Sequence, residues 1–293
     1  MKNVIITGSS SGFGLLAAKT IAQNGHKVWA SMRNTNGKNA ERKAELEKLA
    51  TAENLPLKVL ELDVTSDASV QEAINTVVQE DGKIDVLINN AGVMFVGITE
   101  AYGMEQIKTQ MDVNFYGAVR TIKAALPHMR SAGDGLIINT SSLAGRLSFP
   151  YFGVYNASKF ALEGYSHALR FELAPFGVEV SIVEPGPFGT NLLYSGPKET
   201  DSSVLDSYQD FKEVPAAMLK NFEGFFSTED APNPQIVADD YLRLINNPKG
   251  QRPARVVSGI DYGVIQYNNA VQPIEESLIK DVLQMPHLLG ANG

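Results

Sequence analysis

Val4-Ile5-Ile6-Thr7-Gly8-Ser9-Ser10-Ser11-Gly12-Phe13-Gly14 decides the fold of this chain. Val4 to Thr7 is a short apolar run that suits a strand buried on both faces of a parallel sheet. Leu15, Ala18, Ile21 and Ala22 then recur at helical spacing. A strand, a glycine-rich turn and a helix together make a phosphate cradle. Gly8 permits the tight turn, Gly12 lets the backbone approach a pyrophosphate, and Gly14 lets the helix pack closely on the strand. The helix N-terminus adds free N–H groups and the positive end of its dipole. The spacing is G-x-x-x-G-x-G rather than G-x-G-x-x-G, so the flanking strand and helix carry the reading of a dinucleotide site against a plain tight turn.

The β–α alternation continues outward from this turn. Lys27 to Met32 reads as a second strand, followed by Arg33. The residue after the second strand meets the adenosine ribose in such a sheet. An acidic side chain there binds the 2′-hydroxyl of NAD, whereas an arginine accommodates the 2′-phosphate of NADP. No Asp or Glu lies between Gly25 and Ala40, so Arg33, helped by Ser11, points to NADP; the bland alternative is a solvated surface arginine. Residues 38–53 suggest an exposed amphipathic helix. Leu57 to Leu62 reads as the third strand, ending in Asp63-Val64, where Asp63 either accepts from an adenine amino group or caps the next turn. A helix from Asp67 and a strand Asp85 to Ile88 follow, the latter ending in Asn89-Asn90-Ala91-Gly92. Small residues and amides at that end suit close passage of a cofactor, or simply fix a turn.

Met104 to Met129 has one long helical pattern with Asn114 in its interior. A buried Asn needs partners; it is either a satisfied structural amide or one that holds a water. Leu136 to Thr140 is a fifth strand, delivering Ser141 and Ser142 to its end, and Val178 to Val183 is a sixth, ending in Glu184-Pro185-Gly186-Pro187-Phe188-Gly189-Thr190. Between them a helix runs to about Pro175 and carries Tyr155 and Lys159, four residues apart and therefore on one face. A phenol is a poor acid, with an unperturbed pKa of roughly 10. A nearby ammonium favours its phenolate, so the pair can exchange a proton with a hydroxyl or carbonyl oxygen. So many β–α units predict an α/β fold, a parallel sheet covered by helices on both faces, with ligands at the carboxyl ends of its strands.

Asn191 to Pro234 lacks that rhythm and is rich in aromatics: Tyr194, Tyr208, Phe211, Phe222, Phe225 and Phe226. It reads as a helical substrate-binding excursion with an apolar pocket wall. A helix over 235–247, a last strand over Ala254 to Val257 and a tail over 260–293 complete one domain spanning 1–293. Ile274, Leu278 and Val282 mark an amphipathic tail helix, expected to pack on its own subunit or a partner.

Composition narrows the function. The chain has 293 residues, 44% apolar and 20% charged, with a net charge of −8. Scattered acidic charge argues against nucleic acid and anionic membranes as partners. No Cys is present, which removes thiol nucleophiles, disulfides and cysteine metal sites and is compatible with a reducing cytoplasm. The four His are dispersed without ligand spacing, so no metal is expected. No window reaches the ~20 apolar residues of a membrane-spanning helix, and the N-terminus enters a strand-like run without the pattern of a signal peptide.

Thr7 to Gly14, Asn89-Asn90-Ala91-Gly92, Asn114, Ser142, Tyr155-x-x-x-Lys159 and Pro185-Gly186 together resemble the classical short-chain dehydrogenase/reductases over residues 3 to about 190. Val28 to Asn34 and the overall length resemble the branch that contains 17β-hydroxysteroid and retinol dehydrogenases. The resemblance implies a doubly wound Rossmann fold and hydride transfer between NADP and a carbon bearing hydroxyl or carbonyl. It implies Tyr155 as acid/base, Lys159 as the group favouring its phenolate and holding the nicotinamide ribose, Ser142 as the hydrogen bond to the substrate oxygen, and Asn114 in a water-linked proton relay. Gly8, Ser10, Ser11, Gly12, Phe13 and Gly14 would line the pyrophosphate and adenosine side, with Arg33 at the ribose. Asp63 and Val64 would meet adenine, Asn90, Ala91 and Gly92 the central ribose region, and Pro185, Gly186, Phe188 and Thr190 the carboxamide face. A hydrophobic ketone or secondary alcohol is the expected small-molecule substrate, in a cytoplasmic homo-oligomer. Two alternatives share parts of this pattern. A sugar-nucleotide epimerase or dehydratase normally has G-x-x-G-x-x-G, and a non-enzymatic NADP sensor has no need of Ser, Tyr and Lys together.

Overall fold

The computed structural model describes residues 1–289. Seven strands form one parallel sheet in the order β3-β2-β1-β4-β5-β6-β7. They are β1 (Asn3–Ile6), β2 (Lys27–Met32), β3 (Leu57–Glu61), β4 (Val86–Asn89), β5 (Gly135–Thr140), β6 (Val178–Pro185) and β7 (Arg255–Ser258). The order reverses between β1 and β4, and a crevice opens there at the carboxyl ends, the usual ligand site of a doubly wound sheet. Thus the α/β Rossmann architecture expected from the sequence is the observed one.

Strand pleating divides the apolar runs between two cores. Val4 and Ile6 of β1, Val86 and Ile88 of β4, and Leu136 and Ile138 of β5 face one side. There they meet α1 (Gly12–Gln23), α2 (Ala40–Ala52) and a later helix over Gln235–Asn246, through Ala18, Ile21, Leu46 and Tyr241. Ile5, Leu87 and Ile137 face the other side and meet α3 (Asp67–Asp81), a helix over Gly117–Ala132, and the helix over Gly153–Leu173 that carries Tyr155 and Lys159. Each fully buried aliphatic side chain contributes ~1.5–3 kcal/mol, and two dry faces are why these strands read as continuous apolar runs.

The expected helix over Met104–Met129 is instead two helices, α4 (Met104–Met111) and α5 (Gly117–Ala132), joined by a π turn over Asp112–Tyr116. Such turns are frequent at functional sites, and Asn114 lies inside this one. α6 (Gly153–Leu173) buries Tyr155, Ser158, Lys159, Leu162, Ser166 and Leu169 along its length. The excursion holds α7 (Ser202–Ser207) and α8 (Val214–Phe226); α9 (Gln235–Asn246) and α10 (Val264–Ser277) follow. Along α10 and the turn that follows it, the expectation for the tail is corrected in part. Ile274 and Val282 are each 69% exposed and Leu278 48%, so that apolar row does not pack on its own subunit. Residues 290–293 of the expected tail lie outside the described residues. No helix among the described residues is long and apolar enough to cross a membrane.

Candidate active site

Gly8, Arg33, Asp63, Asn90, Ser142 and Gly186 each stand within three residues of the carboxyl end of a different strand. Parallel topology therefore gathers them at one edge. The strand ends and the turns beyond them enclose two cavities.

The larger cavity, about 470 Å3, is a cleft over β1–β4. Its lining includes Gly8, Ser10, Ser11, Gly12, Phe13, Arg33, Asp63, Val64, Asn90, Ala91, Gly92 and Thr190. Lys38, Asn39, Val93 and Tyr194 also line it and carry no motif that would have marked them. Asn90 staples the turn across the crevice: its Nδ2 donates to Thr7 O at 2.9 Å and Gly8 O at 3.2 Å, while Thr7 Oγ1 accepts from Asn90 N and Ala91 N. Gly8 has φ +71, and a Cβ there would sit 2.8 Å from Ala91 Cα. Gly12 has φ +55 but stands clear, with Thr190 Cβ the nearest atom to a notional Cβ at 3.8 Å. This is the cradle a pyrophosphate needs: open backbone at a helix N-terminus, with the exposed cations Arg33 and Lys38 nearby. The residues present fit a dinucleotide cofactor.

One expected cofactor contact differs. Gly14 lines neither cavity, because the side a Cβ would occupy is filled by Gly8 O and Asn90 Nδ2. Its role is the close helix–strand packing that the turn requires. Asp63 lines the cleft and also caps the following turn, its Oδ1 accepting from Thr65 N at 2.9 Å and Thr65 Oγ1 at 2.7 Å.

The smaller cavity, about 130 Å3, adjoins the first and is walled by apolar side chains. Phe13, Asn90, Gly92, Thr190 and Leu192 line both. At its polar end stand Ser142, Tyr155 and Lys159, with Pro185, Gly186 and Phe188 alongside. Phe188 stacks edge-on to Phe13 with centroids 5.3 Å apart, and lines this cavity rather than the cleft. Of the excursion's aromatics, Phe222 and Phe226 reach this cavity, whereas Phe211 is 68% exposed. Met94, Phe149, Phe152 and Tyr262 contribute from segments that sequence reading did not assign to the site.

Lys159 Nζ donates to Thr140 O at 2.7 Å and lies 5.6 Å from the centroid of the Tyr155 ring. Burial pushes the Tyr155 phenol up to about 12, offset in part by the Ser142 hydroxyl. Burial also pulls the Lys159 ammonium down to about 8, against the charge of Glu163. Both shifts have one cause: desolvation disfavours the charged form of each group. Asn114 is a satisfied structural amide. Its Oδ1 accepts from Val93 N at 2.8 Å, and its Nδ2 donates to Val93 O at 2.8 Å and Ser158 Oγ at 3.0 Å. These bonds tie the loop after β4 to α6, so the structural-amide alternative accounts for the burial of Asn114.

Behind Lys159 lies a buried ionic cluster. Arg255 Nε stands 3.4 Å from Glu163 Oε2 and 3.2 Å from Glu184 Oε1, neither carboxylate being more than 3% exposed. Asn268 Nδ2 donates to Glu184 Oε2 at 2.6 Å and its Oδ1 accepts from Arg146 Nε at 2.7 Å. Burial raises both carboxyls, Glu184 to about 7. No cluster of three metal-ligating side chains occurs among the described residues.

Known proteins share this arrangement. The chain is 42% identical over 188 residues to a 3-ketodihydrosphingosine reductase of Bacteroides thetaiotaomicron, a match that spans 64% of each chain. It is 36% identical over 253 residues to human 17-beta-hydroxysteroid dehydrogenase type 1, covering 84% of this chain and 74% of the relative. A solved structure of serine dehydrogenase complexed with NADP+ superposes with a TM-score of 0.70 at 28% identity, over 87% of this chain and 93% of that one. Residues 2–200 match the short chain dehydrogenase family, and with strand order, glycine turn and Tyr–Lys helix in agreement, the chain belongs to that family of oxidoreductases.

Proposed function

We propose that this protein is an NADP(H)-dependent oxidoreductase that interconverts an apolar ketone and its secondary alcohol. The reading is carried by one observation: Ser142, Tyr155 and Lys159 converge on the apolar cavity, which shares Phe13, Asn90, Gly92, Thr190 and Leu192 with the polar cleft. A nicotinamide cofactor, when bound, supplies or accepts the hydride. Gly8, Ser10, Ser11, Gly12 and Phe13 would hold it on the pyrophosphate side, with Val64 and Asp63 at the adenine end. Asn90, Ala91 and Gly92 would flank its centre, and Pro185, Gly186 and Thr190 its carboxamide end.

The side chains divide the remaining work. Ser142 hydrogen-bonds the substrate oxygen and fixes its position. Tyr155, kept protonated by burial, gives its proton to a carbonyl oxygen during reduction and takes one back from a hydroxyl during oxidation. Lys159 places positive charge beside the phenol and offers donors to ribose hydroxyls. Arg33 favours NADP because a guanidinium matches phosphate in charge and in its planar fork of donors. Away from Lys159 the cavity wall is aromatic and apolar, which favours apolar substrates over sugars, whose hydroxyls would lose water without gaining partners.

The test follows NADPH and NADH consumption with purified protein against apolar ketones and polyhydroxy ketones. Consumption of NADPH with apolar ketones is expected. Turnover confined to sugars, or with NADH alone, overturns the reading.

A further inference from the structure

The segment after β7 is pinned to the apolar cavity at several points. Gly186, at the cavity's polar end, leaves its side-chain position to the carbonyl of Ile260. Gly259 has φ +77, and a Cβ there would lie 2.7 Å from the Phe188 ring. α10 is fastened beyond it by Val264, fully buried, and by Asn268, bonded to both Glu184 and Arg146. Between these anchors Tyr262 sends its ring to the cavity wall, 6.4 Å from the Phe149 centroid.

Tyr262 holds a left-handed backbone conformation, φ +45, as do Gly259 at φ +77 and Gly263 at φ +87 in the same segment. A bulky residue there is strained, while glycine is not. The other two left-handed positions of the segment use glycine, and this one does not. Strain of this kind persists where the side chain has a use. Tyr262 is 52% exposed, so it stands at the mouth of the cavity rather than in its depth. Away from the reacting end, the wall includes Met94, Phe149, Phe152, Phe222 and Phe226, all apolar.

We propose that Tyr262 is a specificity-determining residue whose ring closes the mouth of the apolar cavity and selects ketones with an apolar body long enough to reach it. This rests on the reading of that cavity as the substrate site. It assigns part of the selectivity to the segment after the last strand, outside residues 191–234.

The experiment uses the full chain, as wild type, Tyr262→Gly and Tyr262→Phe, with straight-chain methyl ketones from butanone to dodecanone. Occupancy is read by thermal shift with each ketone in the presence of NADPH, and turnover by NADPH consumption. For Tyr262→Gly, the ratio of kcat/KM for dodecanone to that for butanone is expected to fall about tenfold, the discrimination of a lost apolar contact. The Kd for NADPH measured by fluorescence should not move, and the Tm without ketone should rise as the strain is relieved. Tyr262→Phe should keep the wild-type ratio. An unchanged ratio, an equal loss along the series, or a Tm that falls overturns the proposal. If the wild type turns over none of these ketones, the proposed function fails. The thermal-shift arm then still decides this one: loss of a dodecanone shift in Tyr262→Gly supports it, and equal shifts or none in the wild type refute it.

Discussion

The cleft over β1–β4 and the apolar cavity beside it are built by opposite means. The cleft is built mostly at turns that end strands, from glycines and small side chains joined by Phe13, Arg33, Lys38 and Tyr194. The cavity is made mostly of large side chains from seven places: the loops after β4, β5 and β6, together with α1, α6, α8 and the turn before α10. A wall of backbone cannot vary without changing the fold, whereas a wall of side chains can be exchanged one ring at a time. One fold can therefore keep its coenzyme and change its substrate.

Substitutions can test that division. The largest effect is expected where the two spaces meet. Tyr155→Phe keeps the ring and removes the proton, so kcat should fall by ~10²–10⁴-fold, the range of general acid–base catalysis. Stopped-flow measurement of NADPH binding should show affinity close to wild type; near-normal turnover would sink the assignment. On the cleft side, Arg33→Ala should reduce the preference for NADPH over NADH by roughly one to two decades, the equivalent of one charge-assisted hydrogen bond. The comparison is kcat/KM with each coenzyme, and equal losses with both would show that Arg33 does not read the phosphate. On the cavity side, Phe222→Ala or Phe226→Ala should raise KM for large apolar ketones by about tenfold. Kd for NADPH should stay fixed; if it moves with KM, the two walls are not separable.

The smallest effect concerns stability. Glu184 is raised by burial to about 7 from an ordinary 4.5. The folded state then binds more protons than the unfolded state between those values, so this group's contribution to stability falls as pH rises from 4.5 to about 7 and levels off above. Glu184→Gln should flatten that part of the Tm–pH curve. A slope as steep as the wild type's would show that the carboxyl is not the source.

Legibility in the sequence follows the same division. The strands were readable because both sheet faces are dry, which makes Val4–Ile6, Leu87–Ile88 and Leu136–Ile138 continuous apolar runs. The cleft was readable because a turn and its glycines are local in sequence. The cavity was only partly so. Phe222 and Phe226 were in the assigned segment, but Phe149, Phe152 and Tyr262 come from loops whose convergence is tertiary. Lys38 carries no pattern that separates it from any surface lysine. Helical spacing gives the separation of Tyr155 from Lys159 but not the burial that raises the phenol. The place of Asn114 inside a helical pattern is legible, and its bonds to Val93 and Ser158 are not. The break at Asp112–Tyr116 has no proline or glycine to announce it.

The residues shared by the two spaces carry a thermodynamic obligation. Phe13, Asn90, Gly92, Thr190 and Leu192 wall both, so whatever occupies one side shapes the surface offered on the other. The two binding equilibria are then linked, and linkage is reciprocal: the factor by which coenzyme tightens the ketone must equal the factor by which ketone tightens the coenzyme. Titrating each ligand against the protein saturated with the other closes a square of four dissociation constants. The departure of that square from independence is the free energy transmitted through five side chains and backbones.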